Sequence, residues 1–441
     1  MTRQGWLRIP LLGLGYLGAV LEKAGFSVRI IDPGVEDIPA DKIVEEVVRH
    51  RPGLVGVSSM TPNIKTAANL AGLISKALPG VSICVGGPHV TALPEETLKE
   101  FPSFDFGICG EGEGTLVNLA QNLSRGRSAP ETLGNLAFRD RGRVVVNAKA
   151  PEVHIDELPF PAWHLYPKSK VYQLYTARGC PFKCTFCMRV LGQKVRYRNI
   201  DSVIDEFEWV VKDYGPEWIS IADETFTLGK ERVEDFCRRL IGKNLHRKVK
   251  WSCNSRANLA DGELYKLLYE AGCKAVGFGI ESGNEGILKK INKNITVKQA
   301  MNAIGLAKAA NLKTMAYFIL GCPGETEDTV RETVGLATRL NTFSVSFGIM
   351  VPYPGTEIYN DAVKGQGYSL LSRDWDFYDK QFGRVLEFEN LPSRYLESAQ
   401  RKAYREFYLK NRRFFDLSKM LWARRNIIFQ RLFGGREVPD K

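Results

Sequence analysis

Thr176-Ala177-Arg178-Gly179-Cys180-Pro181-Phe182-Lys183-Cys184-Thr185-Phe186-Cys187 is the stretch on which the fold turns. Three cysteines at C-x3-C-x2-C spacing lie in a loop of glycine, proline and lysine, directly after the β-rich run 171–176. Three thiolates on one loop can bind three irons of a cubane cluster and leave the fourth iron without a protein ligand. An open corner of that kind suits a catalytic cluster rather than one that only carries electrons. A structural zinc site takes four protein ligands, and no second Cys or His pair follows at suitable spacing. The remaining cysteines (Cys84, Cys109, Cys237, Cys253, Cys273 and Cys322) stand singly, unlike a disulfide framework. That distribution predicts a reducing, cytoplasmic compartment and one thiolate site.

Working outward, strand-like runs at 171–176, 218–221, 250–254, 275–280, 314–320 and 344–351 alternate with helical patterns at 200–213, 230–241, 262–271, 297–310 and 327–340. Six such units predict a partial (β/α)6 barrel over 169–360, with its chemistry at the carboxyl ends of the strands. Upstream, β-rich runs at 27–32, 54–59, 81–86 and 104–109 alternate with helical patterns at 41–50, 64–78 and 94–101, and a hairpin follows at 135–147. This predicts an α/β domain over 1–150, a doubly wound parallel sheet covered on both faces. Residues 151–168, rich in proline and aromatics, read as a linker, and 361–441 as a basic, mostly helical C-terminal region.

No apolar run reaches the roughly 18–20 residues of a membrane-spanning helix. The run 9–21 puts Leu14, Leu17 and Leu21 on one helical face and lacks a small-x-small cleavage site, so it reads as a packed helix rather than a signal peptide. The net charge is +11, from 61 basic and 50 acidic residues. Between 395 and 435, ten Lys or Arg face three acids, with aromatics interleaved. RNA, a membrane surface or an anionic substrate would suit such a stretch, and the plain reading is the solvated basic face of a packed helical tail.

The cysteine stretch resembles the signature of the radical S-adenosylmethionine superfamily, including the aromatic Phe186 before the last cysteine, and the resemblance extends over about 171–359. It implies that Cys180, Cys184 and Cys187 hold a 4Fe–4S cluster and that Phe186 lies near the adenine of S-adenosylmethionine. Asp223-Glu224-Thr225-Phe226-Thr227 matches the position that receives the amino group; on its own the acid pair reads as a helix N-cap and first-turn acid. Ser255-Arg256 matches a carboxylate contact, for which a guanidinium fork is suited, against the alternative of a surface ion pair. In Gly277-Phe278-Gly279-Ile280-Glu281-Ser282-Gly283, Glu281 fits the ribose position with Gly279 beside it. Gly321-Cys322-Pro323-Gly324-Glu325-Thr326 looks like the same family. Pro352-Tyr353-Pro354-Gly355-Thr356 looks like its cobalamin-linked branch. Cys322 reads as a buried single thiol.

The first domain resembles the cobalamin-binding domain that precedes the radical domain in that branch. The resemblance rests on Ser58-Ser59-Met60-Thr61-Pro62, Gly86-Gly87-Pro88-His89-Val90-Thr91 and Gly110-Glu111-Gly112-Glu113, each after a predicted strand, where open α/β sheets bind ligands. It implies cobalamin contacts at Ser59, Met60, Thr61, Gly86, Gly87, Pro88, His89, Glu111 and Gly112. Glycines there allow close backbone approach. The D-x-H-x-x-G motif of some cobalamin domains is missing. His50 in Val48-Arg49-His50-Arg51-Pro52-Gly53 reads as a helix end, so no protein histidine ligand on cobalt is expected. The family usually opens with an apolar strand, for which only Trp6-Leu7-Arg8-Ile9 remains, so the first strand is expected to be abbreviated or missing.

The resemblance implies that one electron, from a flavodoxin- or ferredoxin-like reductant, cleaves S-adenosylmethionine to a 5′-deoxyadenosyl radical. Cobalamin-dependent methylation of an unactivated carbon is the expected outcome, on a small or lipid-like substrate the sequence does not identify. The alternatives are ring closure or rearrangement of the tetrapyrrole-cyclase kind, RNA modification, and a non-catalytic cobalamin or iron–sulfur sensor. RNA-modifying methylthiotransferases carry further N-terminal cluster cysteines and a terminal RNA-binding β-domain, and this sequence shows neither. His164, beside Trp163, reads as a hydrogen-bonded structural residue.

Overall fold

A computed structural model describes residues 9–126, 130–380, 385–388 and 391–423. The first half runs α1 (Leu12–Lys23), α2 (Pro33–Glu36), α3 (Ala40–His50), β1 (Leu54–Ser58), α4 (Ile64–Ala77), β2 (Ser82–Gly86), α5 (Pro88–Ala92) and α6 (Pro94–Glu100). It ends with β3 (Phe106–Ile108), α7 (Glu113–Ser124), β4 (Leu136–Asp140) and β5 (Arg143–Val146). The five strands form one sheet in that order; β1, β2 and β3 are parallel, and the β4–β5 hairpin adds an antiparallel edge. Both faces are covered, as the unbroken apolar character of β2 requires. Leu116, Leu119 and Phe138 pack with Leu17 and Leu21 of α1 on one face. Val47, Ile64, Val85, Leu98 and Phe104 fill the other.

The expected strand at 27–32 does not form. Ile30 packs instead toward Gly18 of α1. The Asp32 carboxylate accepts from Gly34 N, starting α2, and from Leu11 N, so local capping replaces a ladder. The run 6–9 expected as a shortened first strand falls mostly outside the described residues. The stretch 151–168 has no regular element beyond one 3₁₀ turn, yet it is packed rather than slack. Trp163 is fully buried, Ala162 N donates to Gly15 O, and the Tyr166 hydroxyl donates to Leu11 O.

The second half runs β6 (Val171–Leu174), β7 (Ala177–Arg178), β8 (Arg196–Tyr197), α8 (Ile200–Trp209), β9 (Trp218–Ile221), α9 (Lys230–Gly242), β10 (Lys250–Ser255), α10 (Gly262–Glu270) and β11 (Cys273–Glu281). Then come α11 (Glu285–Lys290), α12 (Val297–Ala309), β12 (Lys313–Leu320), α13 (Glu327–Leu340), β13 (Ser344–Ile349) and α14 (Glu357–Lys364). The six-stranded sheet has the order β13-β12-β11-β10-β9-β6, every pair parallel. Monotonic order with a helical crossover between most neighbours is the open barrel read from the sequence. A short antiparallel pair, β7 with β8, brackets the cysteine loop.

The C-terminal region adds β14 (Tyr368–Leu370) and β15 (Leu386–Phe388), an antiparallel hairpin not foreseen, before the expected helices α15 (Ser393–Lys410) and α16 (Phe414–Ala423). Helix α15 covers the open edge at β13: Phe347 N donates to the Tyr404 hydroxyl and Gln400 Nε2 donates to Phe347 O. An edge strand left bare would invite association. Among the described residues, no helix is long and apolar enough to cross a membrane.

Candidate active site

The cysteine loop leaves the carboxyl end of β6 and is fixed at its root by a buried carboxylate. Asp223, just beyond β9, accepts from Thr176 N at 2.7 Å, Ala177 N at 3.1 Å and the Thr176 hydroxyl. From α9, Arg232 reaches Thr176 Oγ1 at 3.0 Å and Thr176 O at 2.8 Å. Gly179 has φ +97°, and a Cβ there would sit 2.3 Å from Lys194 O. Only glycine takes that turn without strain. Further along, Cys180 N donates to Gly192 O, Thr185 N to Ile291 O, and Ile358 N to Thr185 O.

The three thiols differ in access: Cys184 is buried, Cys180 half-buried and Cys187 exposed. The protein packed against its inner side pushes the Cys187 thiol up although the residue reaches the surface, and Cys184 and Cys180 push it further. Three thiolates brought together thus repel one another unless a cation neutralises them. Among the described residues, no three or more His, Cys, Asp or Glu gather in the arrangement of a lone metal ion.

Around this loop stand the strand ends singled out from the sequence. Arg256, after β10, is buried; Phe182 lies 3.9 Å beneath its guanidinium, and Nη1 is 3.7 Å from Cys184 Sγ. Its Nε and Nη2 have no hydrogen-bond partner among the described residues. A buried guanidinium with two idle donors marks a place for an anion. The neighbouring Ser255 hydroxyl turns away, to Thr227 Oγ1 at 2.8 Å and the Tyr265 hydroxyl at 3.3 Å. Glu281 ends β11 at a register irregularity, with φ +70°. Lys293 Nζ holds its carboxylate at 2.7 Å, and a Cβ on Gly279 would meet Glu281 Oε1 at 2.4 Å. Strained backbone kept in place by an ion pair is common where side chains must be aimed. Lys293 also stands 5.9 Å above the Phe186 ring.

The acid pair after β9 divides its work in a way the sequence did not separate. Asp223 is spent on the loop root, whereas Glu224 is exposed. Burial on its protein side pushes the Glu224 carboxyl up, and Asp223 adds to that push. Beyond β12, Glu325 is 1% exposed and accepts from Gly321 N and Cys322 N through one oxygen, while its other oxygen has no partner among the described residues. Burial pushes it up to about 7. Glu325 lines a cavity of about 430 Å³ shared with Thr185, Lys290, Glu357 and Asp361. Cys322 is buried, with its thiol pushed well up by burial, and sits 3.8 Å from Ile319 O.

In the first sheet the three glycine turns gather at the carboxyl ends of β1, β2 and β3. Ser59 N donates to Gly86 O, and Gly87, at φ +104°, has no room for a Cβ, which would lie 2.5 Å from Ser59 O. Met60 is exposed at the rim. Pro88 opens α5, and the Thr91 hydroxyl donates to Gly87 O and accepts from Gly110 N, both at 2.8 Å. His89 is buried, 3.2 Å from Thr61 Oγ1, and burial lowers it to about 4. Trp375, from the C-terminal region, stands edge-on to His89 at 4.9 Å. No motif pointed to that contact.

Two histidines match their structural readings. His50 bonds Glu46 O at the end of α3, and His164 pairs with Glu22 at 3.0 Å on the surface. Glu111 does more than border a glycine turn. Its carboxylate takes Arg178 at 2.9 Å and both terminal nitrogens of Arg196 at 2.8 Å, and Gly112 carries the chain from it into α7. Burial alone would raise Glu111, but the two arginines overcome it and hold the carboxyl below its usual range.

With this geometry in view, residues 7–120 match the family described as the B12 binding domain, and residues 174–337 the radical SAM superfamily. An uncharacterised methyltransferase of Pyrococcus horikoshii is 34% identical, over 91% of this chain and 88% of that one. The anaerobic magnesium-protoporphyrin IX monomethyl ester cyclase of Cereibacter sphaeroides is 30% identical, over 80% of this chain and 60% of that one. Cytidylyl-2-hydroxyethylphosphonate methyltransferase of Streptomyces wedmorensis is 28% identical, over 81% and 78%. The same fold occurs in the radical S-adenosylmethionine methyltransferase TsrM of Kitasatospora setae, solved with cobalamin and a 4Fe–4S cluster bound. The TM-score is 0.74 at 19% identity, covering 90% of this chain and 86% of that one.

Proposed function

This chain belongs to the radical S-adenosylmethionine enzymes that carry an N-terminal B12-binding domain, and from that premise we propose that it methylates an unactivated carbon. The observation that carries the reading is the meeting of two sites: the three-cysteine loop leaves the first strand of the barrel and is tied by Arg178 to the glycine turn at Glu111. The residues suit the cofactors on physical grounds. Arg256 offers two buried, unpaired donors beside Cys184, and Gly87 leaves no side chain between its turn and Ser59. When bound, the cluster and S-adenosylmethionine supply reductive carbon–sulfur cleavage and hydrogen abstraction, and cobalamin supplies a transferable methyl group.

In this reading Cys180, Cys184 and Cys187 hold the cluster, and the glycine turns of Ser59, Met60, Thr61, Gly86, Gly87, Pro88, His89 and Gly112 border cobalamin. Arg256 faces the carboxylate of S-adenosylmethionine, Glu281 its ribose and Phe186 its adenine. Glu224, the exposed member of the acid pair, receives the ammonium, and Asp223 anchors the loop root. Ser255 supports Thr227 and Tyr265 rather than the ligand. His89, kept neutral by burial, stays a partner of Thr61 and gives no ligand to cobalt. Exposed Cys187 is the side from which an electron enters, from a small reductant of the flavodoxin or ferredoxin kind. Nine free thiols suit a reducing cytoplasm.

The test is anaerobic reconstitution with iron, sulfide and cobalamin, followed by incubation with methyl-labelled S-adenosylmethionine, reductant and candidate substrates. Formation of 5′-deoxyadenosine, S-adenosylhomocysteine and a labelled product is expected. Similarity to the cyclase favours a second reading, oxidative ring closure or rearrangement. Formation of 5′-deoxyadenosine with no S-adenosylhomocysteine and no transferred label would replace methylation by that reading. No 5′-deoxyadenosine from cluster-loaded protein would overturn both.

A further inference from the structure

The loop Gly110–Glu113 and the cysteine loop are joined by four charges between the two sheets, Arg178 and Glu113 buried and Glu111 and Arg196 half-buried. Arg178 Nη1 lies 2.9 Å from Glu111 Oε1 and 2.8 Å from Glu113 Oε1. Arg196, on the partner strand β8, takes both oxygens of Glu111 at 2.8 Å and also donates to Val153 O and Leu191 O. The side chains of Arg178, Glu111 and Glu113 are 5%, 10% and 8% exposed. A third acid, the more exposed Glu152, stands 3.8 Å from Arg196 Nε at the rim, and Tyr16 of α1 lies 5.0 Å from the Arg178 guanidinium. Removal of one partner leaves a buried charge uncompensated, so this arrangement is not interchangeable with surface ion pairs.

The position of the network matters more than its strength. On one side it continues through bonded contacts: Glu111 follows Gly110, whose N–H is held by Thr91, whose hydroxyl holds Gly87 of the glycine turn. On the other side Arg178 precedes Gly179, where a Cβ would lie 2.3 Å from Lys194 O, and then comes Cys180. We propose that Arg178 is a positioning residue that couples the two cofactor sites: clamped by Glu111 and Glu113, it sets where the cysteine loop begins, so that filling either site favours filling the other. This rests on the reading that the glycine turns take cobalamin and the loop takes the cluster. It assigns Glu111 to the joint between the sites rather than to cobalamin itself.

Coupling of this kind is reciprocal and is measured as a ratio of affinities. The full-length protein is titrated with hydroxocobalamin before and after anaerobic cluster reconstitution, as wild type, Glu113→Gln and Arg178→Lys. In the wild type the cluster is expected to tighten cobalamin binding by at least about fivefold. The ratio is expected to fall toward one in both variants, with iron per chain unchanged in Glu113→Gln: glutamine removes one of the two charges that meet at Arg178 Nη1, and the ammonium of lysine ends on a different stem and does not reproduce the planar guanidinium between the two carboxylates. The electron paramagnetic resonance spectrum of the reduced cluster should change on adding cobalamin to the wild type and not to Glu113→Gln. A ratio of one in the wild type, or an undiminished ratio in Glu113→Gln, overturns the coupling while leaving both sites occupied. Wild type that takes up no cobalamin or no iron defeats the cofactor reading and the coupling with it.

Discussion

Glu325→Gln should make the protein more stable at neutral pH than at acid pH relative to wild type. Glu325 accepts from Gly321 N at 2.5 Å and Cys322 N at 2.9 Å through one oxygen, and its other oxygen is buried with no partner among the described residues. Burial raises the carboxyl from 4.5 to about 7. Between those values the native chain holds a proton that the unfolded chain has released, so stability falls as pH rises through the window. At about 1.4 kcal/mol per pH unit, the fall reaches about 3 kcal/mol above pH 7. Glutamine keeps the accepting oxygen, places an NH₂ where the protonated acid has its hydroxyl, and cannot ionise. Its cost near pH 4.5 should be small, and it should gain about 3 kcal/mol on wild type by pH 8. Urea midpoints taken at half-unit steps from pH 4.5 to 8 measure this. A difference between variant and wild type that stays constant within about 1 kcal/mol would refute the argument.

Other consequences follow from the loop root and its neighbours. Asp223→Ala strands three buried donors at about 1–3 kcal/mol each, so a loss of several kcal/mol and reduced iron retention are expected, read by urea midpoint and iron content. Wild-type stability in that variant would mean the carboxylate does not anchor Thr176. Gly179→Ala should keep the melting temperature of the cluster-free protein within a few degrees yet sharply lower iron uptake, because its Cβ would meet Lys194 O at 2.3 Å beside Cys180; full iron uptake counts against a fixed loop. Arg256→Lys keeps the charge and loses the fork over Phe182, so affinity for S-adenosylmethionine should drop about tenfold by calorimetry on cluster-loaded protein; unchanged affinity removes Arg256 from that contact.

Much of this was legible because periodicity and spacing report local facts. The six barrel strands, their crossovers and the loop cysteines all follow from runs of fewer than about twenty residues. The run 27–32 misled because Val28 and Ile30 alternate like a strand, while the deciding event was Asp32 capping α2 and holding Leu11 N. Asp223 and Glu224 are adjacent, and nothing in their order says which turns inward; the choice belongs to Thr176, in the short link between β6 and β7. The contacts of Trp375 with His89 and of Arg178 with Glu111 and Glu113 join segments far apart in the chain. Pairing of that kind leaves no trace in composition or period.

Buried His89 completes the argument begun with Glu325. Burial lowers it from 6.5 to about 4, so within that window the unfolded chain binds a proton that the native chain refuses. Its contribution is present above pH 6.5 and is lost as pH falls toward 4. The sign is opposite to that of Glu325, the size is again about 3 kcal/mol, and the two windows overlap from 4.5 to 6.5. The groups lie beside different sheets and share no partner among the described residues, so their effects should add. Wild type should therefore show little pH dependence from these two groups in the overlap, although each alone swings widely. Glu325→Gln should reveal a stability that rises with pH by about 1.4 kcal/mol per unit, and His89→Gln one that falls at the same rate. The double variant should return to near-flat, displaced by the lost contacts to Thr61 and Trp375. A Glu325→Gln curve as flat as wild type would show that neither burial is felt as proton linkage, whatever the distances around these two side chains.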